Sequence, residues 1–168
     1  MQSTLGCAVI FAGSGSDKGH IDKIVMSLQK YEVPHDVRIC SGHKQPCKLI
    51  ELIREYNEVG GLVTYVAVAG GTDALSGTLS YHARGLVISC PPDSRPDEGI
   101  HNQSCLNNPS GSSNVYIARP ENVGRVIAQN YSGVNSRFRE LLEKEIAAKV
   151  KKLEMADDEF QANYGERG

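Results

Sequence analysis

Two adjacent side chains could do chemistry together: His43 and Lys44, in the stretch Cys40-Ser41-Gly42-His43-Lys44-Gln45-Pro46. An imidazole exchanges a proton near neutral pH, and a lysine ammonium beside it supplies fixed positive charge for an anionic ligand. The stretch follows a short alternating run, Val37-Arg38-Ile39, and precedes a helical pattern that starts near Pro46. The pair is therefore expected on a loop between a strand and a helix, where ligands bind in alternating strand/helix folds. A loop histidine is also compatible with simple solvation, so its neighbours in space decide its meaning.

The elements that must hold this loop can be read in order. Cys7 to Ala12 is a short apolar run expected to form a buried parallel strand. Gly13-Ser14-Gly15-Ser16-Asp17 breaks it, and Ile21, Ile24, Val25 and Leu28 then mark one buried helical stripe. Pro34 resets the chain before a second strand, His35 to Cys40. After the histidine loop, Leu49, Ile50, Leu52, Ile53 and Tyr56 predict a helix ended by Gly60-Gly61. Leu62 to Ala69 is a valine-rich third strand, closed by Gly70-Gly71-Thr72-Asp73, with a helix from Ala74 to about Tyr81. Leu86 to Ile88 is a fourth strand, followed by a loop from Cys90 to Asp97 and a short helix around Ile100 to Leu106. Val115 to Ala118 is a fifth strand, and Pro120 opens a helix to about Tyr131. A last helix is expected over about residues 134–157, protruding beyond a single domain of residues 1–158, with a frayed tail over 159–168.

This alternation predicts a parallel sheet covered by helices on both faces. With strand order 2-1-3-4-5, the switch point lies between strands 1 and 3. The loops Gly13–Asp17 and Gly70–Asp73 leave those strands, and the His43 loop lies next door. Three loops of small residues then line one crevice.

Composition narrows the function classes. The chain has 168 residues, enough for one domain with its own core, and a formal net charge of −2 that gives no basic face for nucleic acid. Lys144, Lys149, Lys151 and Lys152 are interleaved with glutamates and read as a solvated helix face. The cysteines Cys7, Cys40, Cys47, Cys90 and Cys105 show no zinc-type spacing and read as reduced thiols of a cytoplasmic protein. No signal peptide is evident, and no apolar run approaches the roughly 20 residues of a membrane span.

The glycine loops admit two readings each. Gly13-x-Gly15 followed by Gly19 nearly matches a dinucleotide fingerprint, but Lys18 stands where the last glycine belongs. The second strand also ends in Cys40-Ser41 rather than in an acidic residue. A helix N-terminus still favours an anion, while the Asp17 carboxylate suits a sugar hydroxyl. Ser14, Ser16 and Asp17 equally suit plain helix capping, as do Thr72 and Asp73. His20, His35, His82 and His101 show no metal or triad pattern, and Cys40 and Cys47 are taken as structural.

Five short motifs in order resemble the aminoimidazole ribonucleotide carboxylase (PurE-type) family. They are Gly13-Ser14-Gly15-Ser16-Asp17, Ser41-Gly42-His43-Lys44, Ala69-Gly70-Gly71, Leu75-Ser76-Gly77 and Cys90-Pro91-Pro92. Lys44 after the histidine, with Pro109-Ser110-Gly111, is similar to the class II branch, which uses carbon dioxide directly. The resemblance implies a flavodoxin-like three-layer fold, a homo-octamer, no metal or organic cofactor, and a ribonucleotide substrate. It further implies His43 as general acid/base, with Ser14, Ser16, Asp17, Ser41, Lys44, Gly70 and Gly71 around the substrate. The signature departs at Gly42 (usually alanine), at Thr72-Asp73 (usually Ser-Asn), and at Gly71 and Asn107, where class II has arginines. These departures keep open a paralog acting on a related ribonucleotide or imidazole-type substrate. A class I-like mutase of the N-carboxylated isomer and a non-catalytic nucleotide-binding module complete the alternatives.

Overall fold

Side chains alternate along a strand, and in the computed structural model that alternation divides the core in two. The structure describes residues 6–92 and 101–165. In β1 (Cys7–Ala12), Ala8, Ile10 and Ala12 face one side of the sheet while Val9 and Phe11 face the other. The first side is covered by α1 (Lys18–Lys30), α4 (Val123–Tyr131) and the start of α5 (Ser136–Tyr164), through Ile24, Leu28, Ile127, Tyr131 and Phe138. The second is covered by α2 (Pro46–Asn57) and α3 (Leu75–His82), through Leu49, Leu52, Ile53 and Leu79. Both layers meet β3 (Val63–Val68), in which every residue is buried.

The sheet has five parallel strands in the order β2-β1-β3-β4-β5, with β2 at His35–Ile39, β4 at Val87–Ser89 and β5 at Val115–Tyr116. This is the expected three-layer flavodoxin-like arrangement. The switch point falls between β1 and β3. Among the described residues, no helix is long and apolar enough to cross a membrane.

Boundaries differ from expectation in informative places. Strand β5 is two residues long, with Ile117 N–H adding one more bond to Ser89 O at 2.9 Å; the chain then turns at Pro120, which has no donor to continue a ladder. Pro120 opens a short 3-10 turn, Pro120–Asn122, ahead of α4. The expected short helix near Leu106 is a 3-10 turn over His101–Leu106; Ile100, its expected start, lies outside the described residues, as does most of the loop before it. The expected tail from Glu159 is helical through Tyr164. Asn135 Oδ1 caps α5 by accepting from Arg137 N–H at 3.0 Å, and the sequence from Ser136 to Tyr164 holds neither glycine nor proline to stop the helix.

One buried charge fastens α5 to the body. The Glu145 side chain is 8% exposed and accepts from Lys30, Tyr31, Arg125 (2.7 Å) and Lys149 (2.8 Å). Burial by itself would raise its carboxyl pKa, but donors from α1, α4 and α5 outweigh that and hold it well below the usual carboxylate range. Tyr31, half of the same contact, is pushed up to about 12 by burial and by this carboxylate. A carboxyl whose folded pKa is depressed contributes stability above its unfolded value, and that contribution is lost as pH falls through the folded one. Glu145→Gln is therefore expected to lower stability by about 2 kcal/mol at neutral pH. In denaturant titrations the gap to wild type should be full above the ordinary carboxyl value of 4.5 and narrow steadily below it.

Candidate active site

Each of the three strand-exit loops is fixed by backbone bonds before any ligand arrives. Gly13 N–H donates to Val68 O at 2.9 Å and Cys40 N–H donates to Ala12 O at 2.9 Å, so β1 ties both neighbours at their carboxyl ends. Beyond these rungs the chains open into one cleft of about 190 Å³, walled by Ser14, Asp17, Ser41, Gly42, His43, Gly71 and Thr72. The crevice expected at the switch point is present. Another cavity of about 190 Å³ lies at the opposite edge of the sheet, around Leu62, Arg84 and Tyr131, but no histidine lines it.

The first loop settles part of the capping question. Ser14 is extended, and its Oγ accepts from Ser16 N–H at 3.2 Å, capping the 3-10 turn Gly15–Asp17. Ser16 Oγ lies 2.7 Å from Ser14 Oγ, and Ser16 stays outside the cleft lining. Asp17 occupies the N-cap position of α1 yet makes no side-chain capping bond. Its carboxylate faces the cleft instead, where burial raises its pKa against the opposing pull of the His20 imidazole. His20, which carried no pattern in the sequence, is buried with Nε2 3.0 Å from Cys90 O and 3.4 Å from Cys90 Sγ. It binds the first turn of α1 to the end of β4.

The second loop is a tight turn. Gln45 N–H donates to Ser41 O at 2.9 Å and Lys44 N–H donates to Ser41 Oγ at 3.3 Å, after which Pro46 opens α2. These bonds set His43 at the mouth of the cleft. The Lys44 side chain is exposed and does not line it. Cys40 is buried, and burial pushes its thiol up against the pull of Lys48 and Arg38, as befits a packing residue.

The third loop supplies a partner that the sequence had offered only as a helix cap. Thr72 Oγ1 lies 3.4 Å from His43 Nε2, joining the loops after β2 and β3. Asp73 is the residue that caps: Oδ1 accepts from Gly77 N–H at 3.0 Å and from the Ser76 hydroxyl. Its carboxyl borders a separate, much smaller cavity of about 10 Å³ beside Ser89 and Cys105, not the main cleft. Gly70 passes so close to Pro92 that a Cβ there would meet the ring at 3.3 Å. Asn108 and Asn114, which pair at 2.5 Å, brace the loop after Leu106, with Asn114 also donating to Ser89 Oγ.

A loop histidine beside a polar cleft at the switch point of a parallel sheet stands where α/β proteins bind their ligands. Among the described residues no group of three or more His, Cys, Asp or Glu side chains is placed to hold a metal ion. The AIR carboxylase family model matches residues 7–152, and the chain belongs to that family. A phosphoribosylaminoimidazole carboxylase of Treponema denticola is 34% identical over 143 residues, covering 85% of each chain. The enzyme of the same name from Archaeoglobus fulgidus is 32% identical over 154 residues, covering 92% of this chain and 84% of its own. The crystal structure of Treponema denticola PurE superposes with a TM-score of 0.86 at 27% identity, covering 96% of this chain and 99% of that one.

The geometry also explains one departure from the usual signature. A Cβ on Gly42 would stand 2.7 Å from the carbonyl carbon and oxygen of Ala74 and 2.9 Å from Leu75 N. These are backbone atoms at the start of α3, which cannot swing aside as a side chain would. Gly42→Ala is expected to cost about 1–3 kcal/mol by overpacking and to move His43 off the cleft. Denaturation midpoints with crystallography of the variant check this; an unmoved loop at unchanged stability would refute the clash.

Proposed function

We propose that this chain carboxylates 5-aminoimidazole ribonucleotide with carbon dioxide, reversibly, giving 4-carboxy-5-aminoimidazole ribonucleotide for purine synthesis. The observation that carries the proposal is His43 at the mouth of a cleft walled by Ser14, Asp17 and Ser41, in a chain of this family. The substrate ring is an electron-rich enamine. Its C4 attacks the carbon of carbon dioxide, a C–C bond forms, and the carboxylate takes up the electron pair of the broken C–O π bond. The adduct still carries the C4 proton. His43 removes it, aromaticity returns, and the proton leaves to solvent; the reverse order gives decarboxylation.

The remaining roles follow from chemistry and position. Asp17 accepts from ribose hydroxyls, while Ser14, Ser41 and the backbone N–H groups of the glycine loops donate to the phosphate. Ser16 acts through Ser14, to which it is bonded. Gly70 and Gly71 let the ring approach the backbone, and Lys44 adds long-range positive charge at the rim. No organic cofactor is required, because the ring itself supplies the electrons. A cytoplasmic homo-octamer is the proposed working form, and the half-exposed Val37 and Ile39 on edge strand β2 are surfaces that neighbouring copies would cover.

The test follows decarboxylation of the carboxylated product by wild type and His43→Asn. A fall of at least about a hundredfold in kcat is expected for loss of a general acid/base, and equal rates would overturn the role of His43. Rescue of a purine auxotroph at ordinary expression is the expected outcome for the substrate; failure to rescue, with no turnover of the purine intermediate, would point to the related-substrate paralog.

A further inference from the structure

The cavity at the edge of the sheet away from His43 has walls of a different kind from the catalytic cleft, although both hold about 190 Å³. Tyr56, Tyr65 and Tyr131 line it, and the protein already engages all three hydroxyls. Tyr56 donates to Asp36, and Tyr65 donates to Asn57 Oδ1 at 2.8 Å. The Tyr131 oxygen lies 2.7 Å from Thr64 Oγ1 and donates to Cys7 O at 3.0 Å. What these residues offer a ligand is therefore ring surface. Val59 and Leu62, each 45% exposed, add apolar lips to the opening.

Polar recognition falls to Arg84, which also lines the cavity. Its backbone N–H donates to Asn57 Oδ1 at 2.9 Å and its Nη1 to Asn57 O at 3.3 Å, so the residue is held at both ends. A Cβ on the next residue, Gly85, would stand 1.8 Å from Val63 O, which keeps this backbone against β3. Nη1 also meets Glu58 Oε1 at 3.0 Å, but these side chains are 69% and 73% exposed, and a surface pair of this kind is weak. Among the described residues, Nε and Nη2 meet no protein acceptor, leaving two parallel donors of the kind a carboxylate takes. The carboxyl ends of α2 and α3 reach this edge and would repel an anion. Asn57 offsets both, because its carbonyl takes Nη1 of Arg84 and its Nδ2 donates to His82 O at 2.9 Å.

Size narrows the ligand further. A dry cavity of about 150 Å³ accommodates benzene, whereas pockets for drug-sized ligands run from roughly 300 to 1,000 Å³. The space admits one ring with a small substituent and excludes a nucleotide. We propose that this cavity is a second ligand site, specific for a small aromatic carboxylate. The ring lies among the tyrosines, and the carboxylate takes Nε and Nη2 of Arg84. The site is separate from the catalytic cleft and does not depend on which reaction that cleft performs.

Calorimetric titration of the full chain with benzoate tests this, with benzamide as the uncharged ligand of the same shape. One benzoate per chain should bind with a Kd of roughly 1 mM, as suits a ligand of its size. Benzamide should bind at least about tenfold more weakly, and Arg84→Met should weaken benzoate by a similar factor. Glu58→Gln removes the competing carboxylate and should tighten benzoate about threefold, a gain that a misfolded chain cannot mimic. His43→Asn should leave benzoate binding unchanged; a loss there would place the anion in the catalytic cleft and overturn the proposal. Benzamide binding as tightly as benzoate, or no saturable binding of benzoate, overturns it equally. So does an affinity that Arg84→Met leaves unmoved or that Glu58→Gln fails to raise.

Discussion

Strand β1 is hydrogen-bonded on both flanks along its length, to β2 and to β3, and the site depends on that double pairing. Because all three strands run parallel, their carboxyl ends lie at one edge, and the chain must leave each of them by a loop there. The loops after β1 and β3 diverge to opposite faces of the sheet, since α1 covers one face and α2 and α3 the other. The opening between them is a property of topology, not of any side chain. Small residues then let the loop after β2, carrying His43, lean across it against the backbone of Ala74.

The legible part of this was the periodic part. The strand order was assumed from the alternation of strands and helices, and the sheet adopts it; the valine run at residues 63–68 and the stripes of α1 and α2 could be read because burial on a sheet or helix imposes periods of two or 3.6. So could the loop convergence, which needs only the order of the strands. What could not be read were contacts set by distance rather than by pattern. Thr72 meets His43 across residues far apart in sequence, and His20 meets Cys90 farther still. The end of α5 departs from expectation because nothing between Glu159 and Tyr164 breaks a helix.

Two features in and beside the family signature are fixed by their surroundings. Gly42 is enforced by a neighbouring backbone, so its lack of a side chain is a packing requirement. Asn108 and Asn114 form a side-chain brace tied to Cys105 O and Ser89. That brace holds the segment after Leu106 by hydrogen bonds between neutral groups.

Asp73 has a quieter consequence. An extra carboxylate beside a cleft proposed to take a phosphate would ordinarily repel it through a medium of modest dielectric constant. Here its Oδ1 accepts from the Ser76 hydroxyl and Gly77 N–H at the positive end of α3, which offset part of its charge. In the wall of the cleft the acidic residue is Asp17. The aspartate has been added to the sequence outside the wall of the cleft.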